Sequence, residues 1–140
     1  MPSSFLIDEQ RAVVFSWGTG VFTYADFLDH MARLLADPRF RPEYDQLVDC
    51  RALTSLEFTG EQVSELAKRS IFSGRSRRAF VVSSDFQFGM SRMFATYRAI
   101  SGAKEIMIFR EMREALSWLN LPPDFDPSAA GGPKQDVQNA

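Results

Sequence analysis

Any chemistry in this chain must come from a few polar residues that close apolar runs: Asp49, Cys50 and Arg51 after "QLV", and Ser83, Ser84 and Asp85 after "RAFVV". An aspartate at one strand end and serines at the next suit a phosphorylatable aspartate switch, with Asp8 and Glu9 as carboxylates for magnesium. Two parts of that machinery are missing. A second strand follows the acids where a helix is required, and the final strand ends in Phe109 and Arg110 rather than lysine. Arg51 beside Cys50 suggests a lowered thiol pKa, but Leu56 stands where a phosphatase loop needs arginine. His30, the only histidine, borders the apolar face of a helix without an assignable orienting partner, so it reads as a surface or packing residue. No catalytic triad can be assembled, and one cysteine offers neither a disulfide nor metal-ligand spacing. The expectation is a non-enzyme with no metal and no cofactor.

Binding motifs are equally sparse. "GTG" at 18–20 lies between a strand and a helix, without a G-x-G-x-x-G pattern or a Walker lysine, and reads as a tight turn. Gly89 stands alone in the first turn of a helix, where glycine costs up to about 1 kcal/mol relative to alanine. That cost argues for close packing, or for backbone approach to a ligand or neighbour. The segment "KRSIFSGRSRR" carries Lys68, Arg69, Arg75, Arg77 and Arg78. Charge alone would let such a cluster hold phosphate or nucleic acid. The net charge of -2 and the lack of a binding motif favour a solvated helix end and loop, its cations complementing the helix C-terminus. Nucleic acid is not expected as a partner.

The elements that must position these residues follow from periodicity. "SFLI" and "RAVVFSWG" are β-rich runs separated by "DEQ", short enough for a hairpin. "TYADFLDHMARLLADP" places Tyr24, Phe27, Leu28, Met31, Leu34 and Leu35 on one helical face, with Thr23 as N-cap and a stop before Pro38. "YDQLVDCRAL" predicts a strand centred on Leu47 and Val48, and Thr59 with Gln62 forms a capping box for a second helix. "RAFVVSS" predicts a strand buried on both faces. A third helix follows, capped by Ser84 or Asp85 and closed by Gly102, with Phe86, Met90, Met93, Phe94, Tyr97 and Ile100 as its apolar stripe. "EIMIF" and "REMREALSWLN" complete the pattern with a strand and a helix.

After the hairpin, strands and helices alternate, which argues for a mostly parallel sheet with right-handed crossovers. A chain of 140 residues with 45% hydrophobic and 24% charged residues is long enough for one domain with a real core. Thirteen phenylalanines make that core aromatic. The N-terminus has no signal-peptide pattern and no apolar run approaches the roughly 20 residues of a membrane span, so a cytoplasmic location is expected. The domain is expected over 1–121, with 122–140, rich in Pro, Gly, Ala and polar residues, as a flexible tail.

The strand order, together with "LVDCRAL", "DFQFGMSRMF" and "FREMREALSWL", resembles a bacterial STAS-like (SpoIIAA-like) group related to the anti-sigma-factor antagonists, over roughly residues 5 to 120. The resemblance implies a single α/β domain, with a mostly parallel central sheet of about five strands and four helices, cytoplasmic and non-enzymatic. Antagonists of this kind are phosphorylated on serine in an Asp-Ser-Ser-Gly motif at the start of the helix after the central strand. The corresponding stretch here is "EFTGEQ", which makes Thr59 the nearest acceptor. Glu57 and Glu61 would oppose a phosphate there, and the capping box gives Thr59 a structural purpose instead.

Open α/β sheets bind ligands beyond the carboxyl ends of their strands. Asp49, Arg51, Ser83, Ser84 and Asp85 should gather there as a ligand or partner rim, with Gly89 and Arg92 on the helix that begins beside them. The function these features favour is a non-catalytic regulatory or protein-interaction module, acting on a protein partner that the sequence does not identify. The alternative is a carrier for a small apolar ligand or lipid, held among Phe and Met side chains beneath the third helix. Trp118 and Leu121 flank the last helix's apolar face and would support a homodimer.

Overall fold

A computed structural model describes residues 3–100, 102 and 105–126. The hairpin pairs β1 (Ser3–Asp8) with β2 (Val13–Gly18) in antiparallel register. Asp8 closes the connection by accepting from the backbone N–H and the guanidinium of Arg11, each at 3.0 Å. One residue later the chain enters β3 (Gly20–Thr23). Gly20 has a φ of +70°, in the left-handed region where glycine carries no Cβ penalty. The "GTG" turn therefore joins two strands.

Helix α1 (Tyr24–Ala36) starts at a capping box: Thr23 Oγ1 accepts from the N–H of Asp26, whose carboxylate accepts from the N–H of Thr23. Then come β4 (Asp45–Asp49), β5 (Leu53–Glu57), α2 (Gly60–Lys68), β6 (Arg78–Val81), α3 (Asp85–Ile100), β7 (Ile106–Phe109) and α4 (Met112–Trp118). The main sheet runs β1-β2-β4-β6-β7, parallel throughout except for the hairpin. β3 and β5 make a separate parallel pair. The strand expected over "YDQLVDCRAL", centred on Leu47 and Val48, is β4; it breaks off after Asp49, and β5, which the periodicity does not suggest, begins at Leu53. The break is local: the Asp49 side chain accepts from the N–H of Arg51 at 3.0 Å, and the N–H of Leu53 turns back to the Cys50 carbonyl at 3.1 Å.

Strand alternation divides the core. Val13, Leu47, Ala79 and Val81 face α4, where Ala115, Leu116 and Leu119 meet them. Phe80 and Val82 point the other way, into a cluster with Val63 and Leu66 of α2 and Phe94 of α3, flanked by Phe27 and Met31 of α1. Among the described residues no helix is long and apolar enough to cross a membrane.

Three expectations need correction. The stripe assigned to α3 holds only in part: Met90, Phe94 and Tyr97 pack on the core, but Phe86, Met93 and Ile100 are 59%, 37% and 78% exposed, and Gln87 and Ser91 are buried instead. The cause is Gln87. Its Nε2 donates to the Leu53 carbonyl at 3.0 Å and its Oε1 accepts from the Ser83 N–H at 2.9 Å. Turning Phe86 inward would break both bonds and leave the buried Leu53 carbonyl unpaired, at about 1–3 kcal/mol.

Trp118 and Leu121 are likewise not a free dimer surface. Leu121 is buried with Leu116 and Leu119, and Trp118 lies under the Arg77 guanidinium, 4.9 Å from its ring centroid. Arg77 also donates to the Trp118 carbonyl. Most of the expected tail, 127–140, lies outside the described residues. Its first part turns back, with the N–H of Phe125 on the Pro122 carbonyl and the Phe125 ring against the α4 cluster.

Gly89 is the third correction. A Cβ built there meets nothing within 4 Å, and its φ is not in the left-handed region. The helix does not need glycine at this exposed position. Gly89→Ala is expected to raise stability by up to about 1 kcal/mol through helix propensity alone. Thermal unfolding of the two chains checks this; a lower midpoint for the alanine variant would contradict it.

Candidate functional site

The expected rim assembles, but in two separate parts. In the first, the Asp49 carboxylate takes both Nε and Nη2 of Arg51 at 2.9 Å. Ser84 Oγ accepts from the N–H of Gln87 at 3.1 Å and so is the cap of α3. Ser83 Oγ lies 3.4 Å from both the Arg51 carbonyl and Gln87 Oε1. In the second part, Asp85 pairs with Arg110 at 2.7 Å, and the guanidinium carbons of Arg110 and Arg92 lie 4.8 and 5.7 Å from the Phe88 ring centroid. Gly89 contributes only an exposed backbone. The two ion pairs are solvent-accessible and worth little to stability. Rim polar groups are largely spent on one another.

Thr59 stands apart from this rim. Its hydroxyl accepts from the N–H of Gln62 at 3.1 Å and its own N–H donates to Gln62 Oε1 at 2.9 Å, completing the capping box. The residue is exposed.

Behind the rim lies a cavity of about 100 Å³. It opens between the inner face of the sheet and α1, α2 and α3, and reaches Asp49 at the strand ends. Its walls are apolar, with Phe22, Phe27, Met31, Phe58, Met90 and Phe94 prominent. Its floor is a row of polar side chains that strand register places side by side. Gln46 of β4 is the direct neighbour of Arg78 of β6, and Ser16 of β2 lies two residues beyond Val14, the partner of Gln46, and so on the same face.

Hydrogen bonds join that row. Arg78 Nε donates to Gln46 Oε1 at 3.0 Å and its Nη1 to Ser70 Oγ at 3.2 Å. Gln46 Nε2 donates to Ser16 Oγ at 3.1 Å, which lies 3.0 Å from His30 Nε2. His30 Nδ1 is 2.9 Å from Ser3 Oγ, which also accepts from Arg33 Nη2 at 3.0 Å. Both imidazole nitrogens are engaged.

The environment shifts three groups on this cavity. Burial, followed by the nearby Arg33 charge and against the opposing pull of Asp29, lowers the pKa of His30 to about 4. Burial, then the Asp49 charge, raises Cys50 to about 12. The thiol is therefore the reverse of activated, although Arg51 adjoins it in sequence. Burial, then the Arg98 charge, lowers Arg78 to about 9, which leaves it cationic at neutral pH.

Arg78 was classed with a solvated basic segment, and that reading fails. The residue is 5% exposed, with its guanidinium carbon 4.6, 5.3 and 5.7 Å from the ring centroids of Phe72, Phe94 and Phe80. Lys68 pairs with Glu65 at 3.7 Å, Arg69 and Arg75 are exposed, and Arg77 covers Trp118, so the five cations do not form one solvated cluster. Period-two alternation was the available signal: it puts Arg78 on one face with Phe80 and Val82.

No family model and no curated protein matches the chain. Among solved structures it is similar to an uncharacterized protein of the DUF3478 family with a SpoIIAA-like fold, from Shewanella loihica PV-4. The two are 22% identical over 76% of this chain and 83% of that one, with a TM-score of 0.50. The chain has a SpoIIAA-like fold, as its resemblance to the STAS-like group implied.

His30 makes stability depend on pH in a calculable direction. Its pKa is lower folded than unfolded, so between about 6.5 and 4 the unfolded chain binds the extra proton. The His30 contribution is complete above about pH 6.5 and is lost toward pH 4, amounting to roughly 3 kcal/mol. Urea unfolding at pH 7 and pH 4.5 should show a smaller pH-dependent loss for His30→Gln than for the parent chain; equal losses would contradict the assignment.

Proposed function

We propose that the chain is a cytoplasmic, non-catalytic binding module whose interior cavity takes up a small, largely apolar ligand. The observation that carries this reading is the cavity itself: an aromatic- and methionine-walled space above a hydrogen-bonded polar floor, reaching the carboxyl ends of the strands. Apolar voids are uncommon in close-packed interiors and cost stability when empty. Several features support a non-enzyme. The thiol is held protonated, both nitrogens of the histidine are occupied, and the described residues contain no cluster of His, Cys, Asp or Glu suited to a metal. A single buried, unpaired cysteine suits a reducing compartment.

A regulatory protein-interaction module is the second reading, and α3 favours it. That helix lines the cavity with Met90, Ser91 and Phe94 while turning Phe86, Met93 and Ile100 outward. A partner resting on the outer row would contact the element that forms the cavity wall.

Native spray followed by denaturing spray, on chain purified from its own host, should reveal a mass that is lost on denaturation. Benzene titrated into the purified chain should shift the methyl resonances of Met31, Leu53 and Met90. Ser91→Leu fills part of the cavity and should abolish those shifts while the chain stays folded. A bare chain whose methyl resonances ignore benzene would overturn the binding reading and leave the interaction reading.

A further inference from the structure

Resting on the cavity reading, we infer that the ligand is a small monocarboxylate: its carboxylate pairs with Arg78 and its short apolar body fills the space between α1, α2 and α3. The argument starts from an imbalance of charge. A guanidinium withdrawn from water costs several kcal/mol unless an anion compensates it. Arg78 is buried, yet no carboxylate among the described residues forms an ion pair with it. The charge that bears on it most is another cation, Arg98 of α3. Arg98 donates from Nη1 to the Ala67 carbonyl at 3.1 Å, and its buried Nε has no partner. The buried charge of Arg78 thus has a partly buried cation for a neighbour and no ion-paired carboxylate among the described residues.

Donor capacity points the same way. Of the five guanidinium N–H groups of Arg78, one bonds Gln46 and one bonds Ser70. Nη2 donates to none of the described residues. A planar fork with unused donors, on the lining of an apolar cavity, matches a carboxylate in shape and charge. The three phenylalanine rings around it hold the fork in place.

Size and wall chemistry narrow the class further. A cavity of about 100 Å³ is of the same order as an engineered one of about 150 Å³ that takes benzene, so a body of about four to six carbons fits. Most other polar groups of the lining, Ser3, Ser16, His30, Gln46 and Ser70, are already bonded to one another or to Arg33 and Arg78, which leaves few donors for the remaining oxygens of a phosphate or sulfate. A branched short-chain carboxylate satisfies charge, donors and volume together.

The test compares isovalerate with its uncharged analogue, 3-methylbutan-1-ol, on the full chain at pH 7. Isovalerate should raise the unfolding midpoint and shift the Arg78 Nε–Hε resonance. The alcohol should bind about tenfold or more weakly, as expected for losing hydrogen bonds to a charged group. Arg78→Met should remove the preference for the acid. If that variant does not fold, Arg78→Lys, which keeps the charge but not the fork, should weaken isovalerate at least as much as it weakens the alcohol. Equal affinity for acid and alcohol would overturn the carboxylate assignment and leave the cavity reading intact. So would isovalerate binding that is unchanged in the Arg78 variant or leaves the Arg78 resonance in place, since the site would then lie elsewhere. If neither benzene nor isovalerate binds, both readings fall together.

Discussion

A cation enclosed by aromatic rings is the constraint around which this molecule is arranged. Arg78 opens the interior strand β6, next to the central β4, and its guanidinium rests among Phe72, Phe80 and Phe94 from three parts of the chain. Ring faces attract the charge, but they cannot replace water as hydrogen-bond acceptors. Gln46 and Ser70 supply acceptors, Ser16 then accepts from Gln46, and His30 and Ser3 extend the chain of bonds to the sheet edge. One buried charge thus dictates the polar identity of a row crossing four strands. Such a network is worth keeping only when each member is satisfied.

The empty space and the exposed half of the α3 stripe belong to the same arrangement. Side chains committed to hydrogen bonds on the sheet surface cannot also fill the volume above it, and the large rings around them meet at angles rather than flat. Phe22 and Phe58 cross edge to face at 85°, as do Phe27 and Phe58 at 71°. α3 adds to this, because Gln87 must reach the backbone of β5 and the loop after β6. That anchor places the small Ser91 against the cavity and sends two of the bulkier residues, Phe86 and Met93, outward. Backbone satisfaction outweighed apolar burial along this helix.

How much of this was readable in advance depended on range. Local signals were reliable: Thr23 and Thr59 cap their helices, the hairpin sits at "DEQ", and α4 buries Ala115, Leu116 and Leu119. Alternating strands and helices were enough for the parallel order of the main sheet. The small β3–β5 sheet was hidden because its strands are short and pair only with each other, and because a turn set by Asp49 separates β5 from β4. The α3 stripe was half misassigned because an apolar count ignores a glutamine whose value lies in bonds to the nearby Ser83 and the distant Leu53 backbone. For the site, the rim residues were found by position, although Arg110, which pairs with Asp85, was read only as the end of a strand. The cavity was anticipated through its Phe and Met content, but Arg78 was counted with its exposed sequence neighbours when strand alternation assigned it inward.

The two edges of the main sheet are treated very differently. β1 ends it on one side with six residues that are all buried, including Ser3, Ser4 and Asp8. β7 ends it on the other with four residues and an exposed Met107. Open edges are templates for unwanted pairing between molecules, and proteins blunt them by shortening or covering. Here covering guards the first edge and brevity the second. A chain docking edge-on to β7 would gain only a few ladder bonds, too few to nucleate a continuous intermolecular sheet. An interior that gives up close packing for a polar row is thereby combined with an exterior that gives aggregation little to start from.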